Sequence, residues 1–126
     1  MTTVAGPRQS QHMTALGKAN RTRLKRAKTK GSVTSLAPPE AMVRVAGILE
    51  DVPWECETME ISELLLWVPR MGWIHALRLL RAVPVRENRR LGASHSSTPQ
   101  TPPMTPRQRT ALARLLRERA ARAAAR

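Results

Sequence analysis

The sequence predicts an all-α protein in which a long basic N-terminal helix precedes a small helical domain containing a helical hairpin. Three observations predict it. Apolar side chains recur at helical spacing, most fully at Ile61, Leu64, Leu65 and Val68, which follow i, i+3, i+4 and i+7. Prolines and glycines stand where helices would start or stop. A capping box, Thr105-Pro106-Arg107-Gln108, marks the start of the last helix.

Taken in order, residues 1–12 hold Gly6, Pro7 and small polar side chains without apolar periodicity, the composition of a disordered tail. Residues 13–30 are helix-compatible, and Gly31 is placed to end that helix. Its apolar stripe is thin, consisting of Met13, Leu16, Leu24 and Ala27. Lys18, Arg21, Lys25 and Lys28 follow i, i+3 and i+4 spacing on another side, so the segment is expected to project as a basic helical arm.

Residues 33–118 form the expected helical domain. Pro38 and Pro39 can precede a helix running from Glu40 to Glu50, with Met42, Val45, Ala46 and Leu49 inward and Asp51 and Pro53 ending it. A third helix spans Ile61 to Val68. Pro69-Arg70-Met71-Gly72 then turns tightly into a fourth, Trp73 to Arg81, expected to present Ile74, Leu77 and Leu80 to the core. Residues 93–104, rich in Ser, Thr and Pro, read as a flexible loop. The final helix packs Leu112, Leu115 and Leu116, and residues 119–126, only alanine and arginine, read as a basic helical extension that buries little and frays.

Charge narrows the partner. The 126 residues carry 22 Lys and Arg against 9 Asp and Glu, a formal net charge of +13. Such a charge repels itself unless a polyanion balances it. It is also segregated, with eight basic and no acidic residues in 1–39, seven acidic and one basic in 40–63, and thirteen basic and two acidic in 64–126. Two basic blocks therefore flank an acidic middle, which should turn away from phosphates as a solvated face.

Other classes of function find little support. The N-terminus lacks the apolar stretch of a signal peptide and no run approaches a membrane span, so a cytoplasmic protein without membrane contact is expected. Cys56 is the one cysteine, and His12, His75 and His95 are scattered, so neither an intramolecular disulfide nor a metal site is expected. Cys56 reads as a small buried or half-buried residue. No nucleophile or carboxylate accompanies His75, so neither catalysis nor a cofactor is expected. The absence of Phe and Tyr argues against single-stranded binders that stack bases on aromatic platforms.

Two segments carry the binding chemistry. In the hairpin, Arg70 and Gly72 lie in the turn. There Gly72 would let the chain approach a ligand closely, and the free N–H groups of the next helix suit a phosphate. Trp73 and His75 follow, the former expected mainly in the core together with Trp67. In Val85-Arg86-Glu87-Asn88-Arg89-Arg90-Leu91-Gly92, paired arginines next to glycine suit a narrow minor groove.

Ala19-Asn-Arg-Thr-Arg-Leu-Lys-Arg26, Met59-Glu-Ile-Ser-Glu-Leu-Leu-Leu-Trp-Val-Pro-Arg-Met-Gly72, Asn88-Arg-Arg-Leu-Gly92 and Leu112-Ala-Arg-Leu-Leu116 occur in that order. Together they resemble the actinobacterial integration host factor family, over about residues 16–118. The resemblance implies a helix-two-turns-helix module, related to helix-hairpin-helix, in a nucleoid-associated protein that bends or compacts double-stranded DNA. It also implies phage integrase as a partner in a recombination complex and, because Trp73, His75 and the long loop depart from the family pattern, a divergent, phage-encoded member. A monomer is expected. The DNA-binding residues it and the charge pattern imply are Arg21, Arg23, Lys25, Arg26, Lys28, Arg70, Gly72, Trp73, His75, Arg86, Arg89, Arg90, Arg107 and Arg109. The competing expectation is an RNA-binding protein like the small-subunit S13 family, whose hairpin and basic tails are similar.

Overall fold

In the computed structural model, which describes residues 7–92 and 102–125 and side chains from Ala15 onward, every regular element is helical. The elements are α1 (Pro7–Thr34), α2 (Pro38–Glu50), a 3₁₀ turn at Trp54–Cys56, α3 (Ile61–Leu65), α4 (Trp73–Ala82) and α5 (Pro106–Ala124). The all-α expectation holds for the described residues.

The starts of α2 and α5 follow from local chemistry. Prolines occupy the first turn of α2, where a missing N–H costs nothing, and Ala37 before them is extended, as a residue preceding proline prefers. At α5 the capping box forms as expected. Gln108 N donates to Thr105 Oγ1 at 3.1 Å, and Thr105 N donates to Gln108 Oε1 at 2.9 Å.

α2 and α5 make the most extensive contact between elements. Ala41, Val45, Ala46, Ile48 and Leu49 of α2 and Leu112, Ala113, Leu116 and Ala120 of α5 are buried. The alanines on both faces let the backbones approach. Glu50 and Arg117 form a surface ion pair between the same two helices, a contribution of about 0–1 kcal/mol. Ile61, Leu64, Leu65 and Val68 join this core as the spacing predicted, with Trp67 beside them.

A strap, residues 85–92, closes the domain. Ile61 N donates to Arg89 O at 2.8 Å and Ser62 N to Glu87 O at 3.2 Å, so the strap carbonyls satisfy amides at the start of α3. Leu91 N donates to Met59 O and Gly92 N to Glu57 O, both at 3.0 Å. At Gly92 an added Cβ would stand 3.0 Å from Glu57 Cγ and 3.3 Å from its Cα, which explains a glycine there.

Several local expectations need correction. α1 begins at Pro7, inside the stretch read as a tail, and passes through Gly31, because proline is tolerated in a first turn and one glycine costs a helix only about 1 kcal/mol. Leu16 and Leu24 are exposed and do not form the inward stripe. α3 ends at Leu65, and overlapping turns carry the chain through Val68. Ile74 is exposed, and α4 faces the core with Ala76, Leu79 and Leu80, because its first turn projects past the core. Trp73 is likewise exposed. α5 stays helical to Ala124, with Ala120 buried, since alanine suits its close approach to α2. Of the expected loop 93–104, residues 93–101 lie outside the described residues, as do 1–6 of the expected tail. Met104 is buried, its N–H bonded to Arg90 O at 2.8 Å.

Candidate functional site

The inward face of α1 is largely polar. Val33 is buried, and toward the N-terminus Arg26 Nε donates to Glu55 O at 2.9 Å and Arg26 Nη2 to Thr58 Oγ1 at 2.8 Å. Thr29 Oγ1 donates to Glu55 Oε1 at 2.8 Å. Arg26, Thr29 and Val33 thus fall on one helical stripe that docks the helix, and Thr22, bonded to Lys18 O in its own helix, continues the line.

With this stripe fixed, the cations of α1 fall on its two flanks. Lys18, Arg21, Lys25 and Lys28 lie on one side and Arg23 and Lys30 on the other, all exposed. Among the described residues none of these six pairs with a carboxylate, and α1 itself contains no Asp or Glu. Arg26, expected among the ligand contacts, spends two donor groups inside the protein instead. A guanidinium has five N–H donors, so it keeps others to offer.

At the hairpin the unusual backbone is at Arg70. Its φ of 66° is left-handed, whereas Gly72 has φ −84° and ψ 174°, which any residue adopts. A Cβ at Gly72 would meet nothing within 4 Å, so no internal crowding demands glycine there. Gly72 caps α4 without a side-chain hydrogen bond, and the first bond of the helix runs from Ala76 N to Gly72 O at 3.1 Å. The amides of Trp73, Ile74 and His75 therefore have no partner within the helix. Arg70, Trp73, Ile74 and His75 are all exposed. Farther along α4 the exposed Arg78 and Arg81, omitted from the expected set, continue from Ile74 at i+4 and i+7. That spacing was readable once Ile74 is placed outward.

The strap gathers the remaining arginines. Arg86 is exposed, and Arg89 and Arg90 are half-buried. Arg89 Nη1 donates to Pro102 O at 3.1 Å, and Arg90 forms an isolated antiparallel bridge with Glu60. Arg109 Nη1 donates to Leu91 O at 2.8 Å. Arg89 and Arg109 thereby tie down the two ends of the chain flanking residues 93–101. Arg107 is exposed in the first turn of α5, which has no acidic residue. A cation there opposes the helix dipole, so the fold gains nothing from it.

Burial of Glu55 corrects the expectation that the acidic block is wholly a solvated face. Glu55 is 3% exposed, and among the described residues its Oε2 has no hydrogen-bond partner. Beside it, Cys56 is buried as expected. Burial pushes its thiol up from 9.0 to about 11, Glu55 adds to the rise, and Arg26 and Arg44 pull it back. Among the described residues no three His, Cys, Asp or Glu side chains come together as a metal site would require. No helix among them is long and apolar enough to cross a membrane.

Compared with known protein families, curated proteins and solved structures, the chain matches none.

Proposed function

We propose that this protein is a sequence-tolerant, architectural binder of double-stranded DNA that bends or compacts it. The observation that carries the proposal is the arm: a helix without a carboxylate whose six exposed cations, Lys18 to Lys30, span about 18 Å at 1.5 Å per residue and pair with no carboxylate among the described residues. Lysine and arginine repeated along such a length match the repeated charge of a phosphate backbone, and backbone contacts carry no base identity. The exposed hairpin and the arginines of the strap supply further cations on the domain that holds the arm. A nucleoid-associated role that supports phage integrase recombination belongs to the same proposal, through the resemblance in sequence.

Binding is read in a gel shift with duplex fragments, and bending in ligase-driven circularisation of fragments shorter than the persistence length of about 150 bp. The expected result is protein-dependent circle formation, and fewer circles for Arg89→Ala with Arg90→Ala at unchanged helicity. Preferential competition by a structured RNA over duplex DNA would instead favour an S13-like RNA binder and overturn the proposal.

A further inference from the structure

The tip of the hairpin is the least expected surface of the molecule. Trp73 is 47% and Ile74 66% exposed, at the first two positions of α4, although this helix buries Ala76, Leu79 and Leu80 well. A fold seeking only stability would bury a side chain as large as tryptophan or replace it with a polar one. Opposite the buried face, Ile74 is followed by Arg78 and Arg81, so the apolar surface stops after the first turn and becomes cationic. Arg70 stands in the turn before it. Residues 64–86 hold four arginines, Arg70, Arg78, Arg81 and Arg86, and no Asp or Glu.

We infer that Trp73 and Ile74 form an apolar wedge that enters a base step of duplex DNA and partly unstacks it, while Arg70, Arg78 and Arg81 hold the flanking phosphates. The inference rests on the duplex binding proposed above and gives it a means of bending. Apolar wedges between base steps kink a duplex, and the unstacking energy is recovered through the additional contacts that the bend permits. Charge complementarity selects the occupant: an apolar tip with Arg70 in the turn before it and Arg78 and Arg81 along the helix after it fits a base step between two phosphates. A lipid surface would ask for a broader apolar face along the helix, and here that face is arginine.

The test uses the full-length chain and duplexes carrying 2-aminopurine at TA or CA steps, which unstack most readily. Bound wild-type protein should raise the fluorescence of the probe. Trp73→Ala combined with Ile74→Ala should abolish the rise and weaken binding roughly tenfold, within the range of lost base–aromatic stacking, at an unchanged salt slope. Trp73→Phe should keep the rise. Both side chains are exposed, so circular dichroism should be unaltered in every variant. A rise that persists in the double variant overturns the wedge and leaves duplex binding intact. Failure of the wild type to bind the duplex overturns both. A flat probe signal in wild type, with a Trp73-dependent blue shift on phosphatidylglycerol vesicles, overturns the wedge in favour of a lipid surface.

Discussion

Thr29 donates its hydroxyl hydrogen to Glu55 Oε1 at 2.8 Å, with both side chains buried. This bond joins the C-terminal part of the basic arm to the 3₁₀ turn at Trp54–Cys56, next to the two hydrogen bonds from Arg26. A buried carboxylate oxygen without a donor costs its full desolvation, and Glu55 Oε2 already lacks one. The arm is therefore docked chiefly by polar contacts, and its cations are presented from a fixed base.

Removing that donor should be expensive. Thr29→Val keeps the shape of the side chain and leaves both carboxylate oxygens unpaired, so urea denaturation should show a loss of about 1–3 kcal/mol. Thr29→Ser should recover most of it. A loss below about 0.5 kcal/mol, the usual range for surface changes, would mean that this bond does not dock the arm.

Arg70 separates fold from function. A non-glycine residue in the left-handed region carries a strain of about 1–2 kcal/mol, and Arg70 holds that conformation while exposed. Arg70→Gly should leave the thermal midpoint unchanged or raise it, because relieved strain offsets the added freedom of the unfolded chain. The same variant should bind duplex DNA more weakly. A clear drop in the midpoint with unaltered affinity would make Arg70 a structural residue.

Cys56 predicts a pH dependence. Its folded thiol titrates near about 11 against 9.0 ordinarily, so the folded state holds its proton more tightly than the unfolded state. The stability linked to this group is complete below about pH 9 and is lost as pH rises through about 11. Denaturation at pH 8 and pH 11 should show the decline, and Cys56→Ala should flatten it. At pH 8 a thiol reagent should modify the native protein far more slowly than the urea-unfolded chain. Equal rates in the two states would contradict burial of Cys56.

Much of the architecture was legible in the residues because it rests on local rules. The prolines put the start of α2 within two residues of Pro38, where it lies, the complete capping box placed the start of α5, and the Ile61, Leu64, Leu65, Val68 stripe placed the core of the hairpin. Periodicity misled where the largest apolar residue was not the inward one. Ala76 faces the core because the first turn of α4 overhangs it, which leaves Ile74 outside. The docking face of α1 was illegible for another reason. Arg26 and Thr29 bind through hydrogen bonds to residues roughly thirty positions away, a pairing that no helical spacing reveals. The same applies to Arg89 and Arg109, whose bonds to Pro102 and Leu91 depend on how the strap returns to the domain. Their charge was readable, but their partial burial and internal partners were not.

The central claim, a backbone grip by the arm, is tested most directly by titrating salt against duplex affinity. Between about 50 and 200 mM the wild type should lose affinity steeply, with a linear plot of log K against log salt. Lys25→Ala and Lys28→Ala should each reduce the slope by about 1 with stability changes within about 0.5 kcal/mol, whereas Arg26→Ala should lower stability more. Nearly constant affinity over that range, or slopes indifferent to loss of Lys25 and Lys28, would contradict the account.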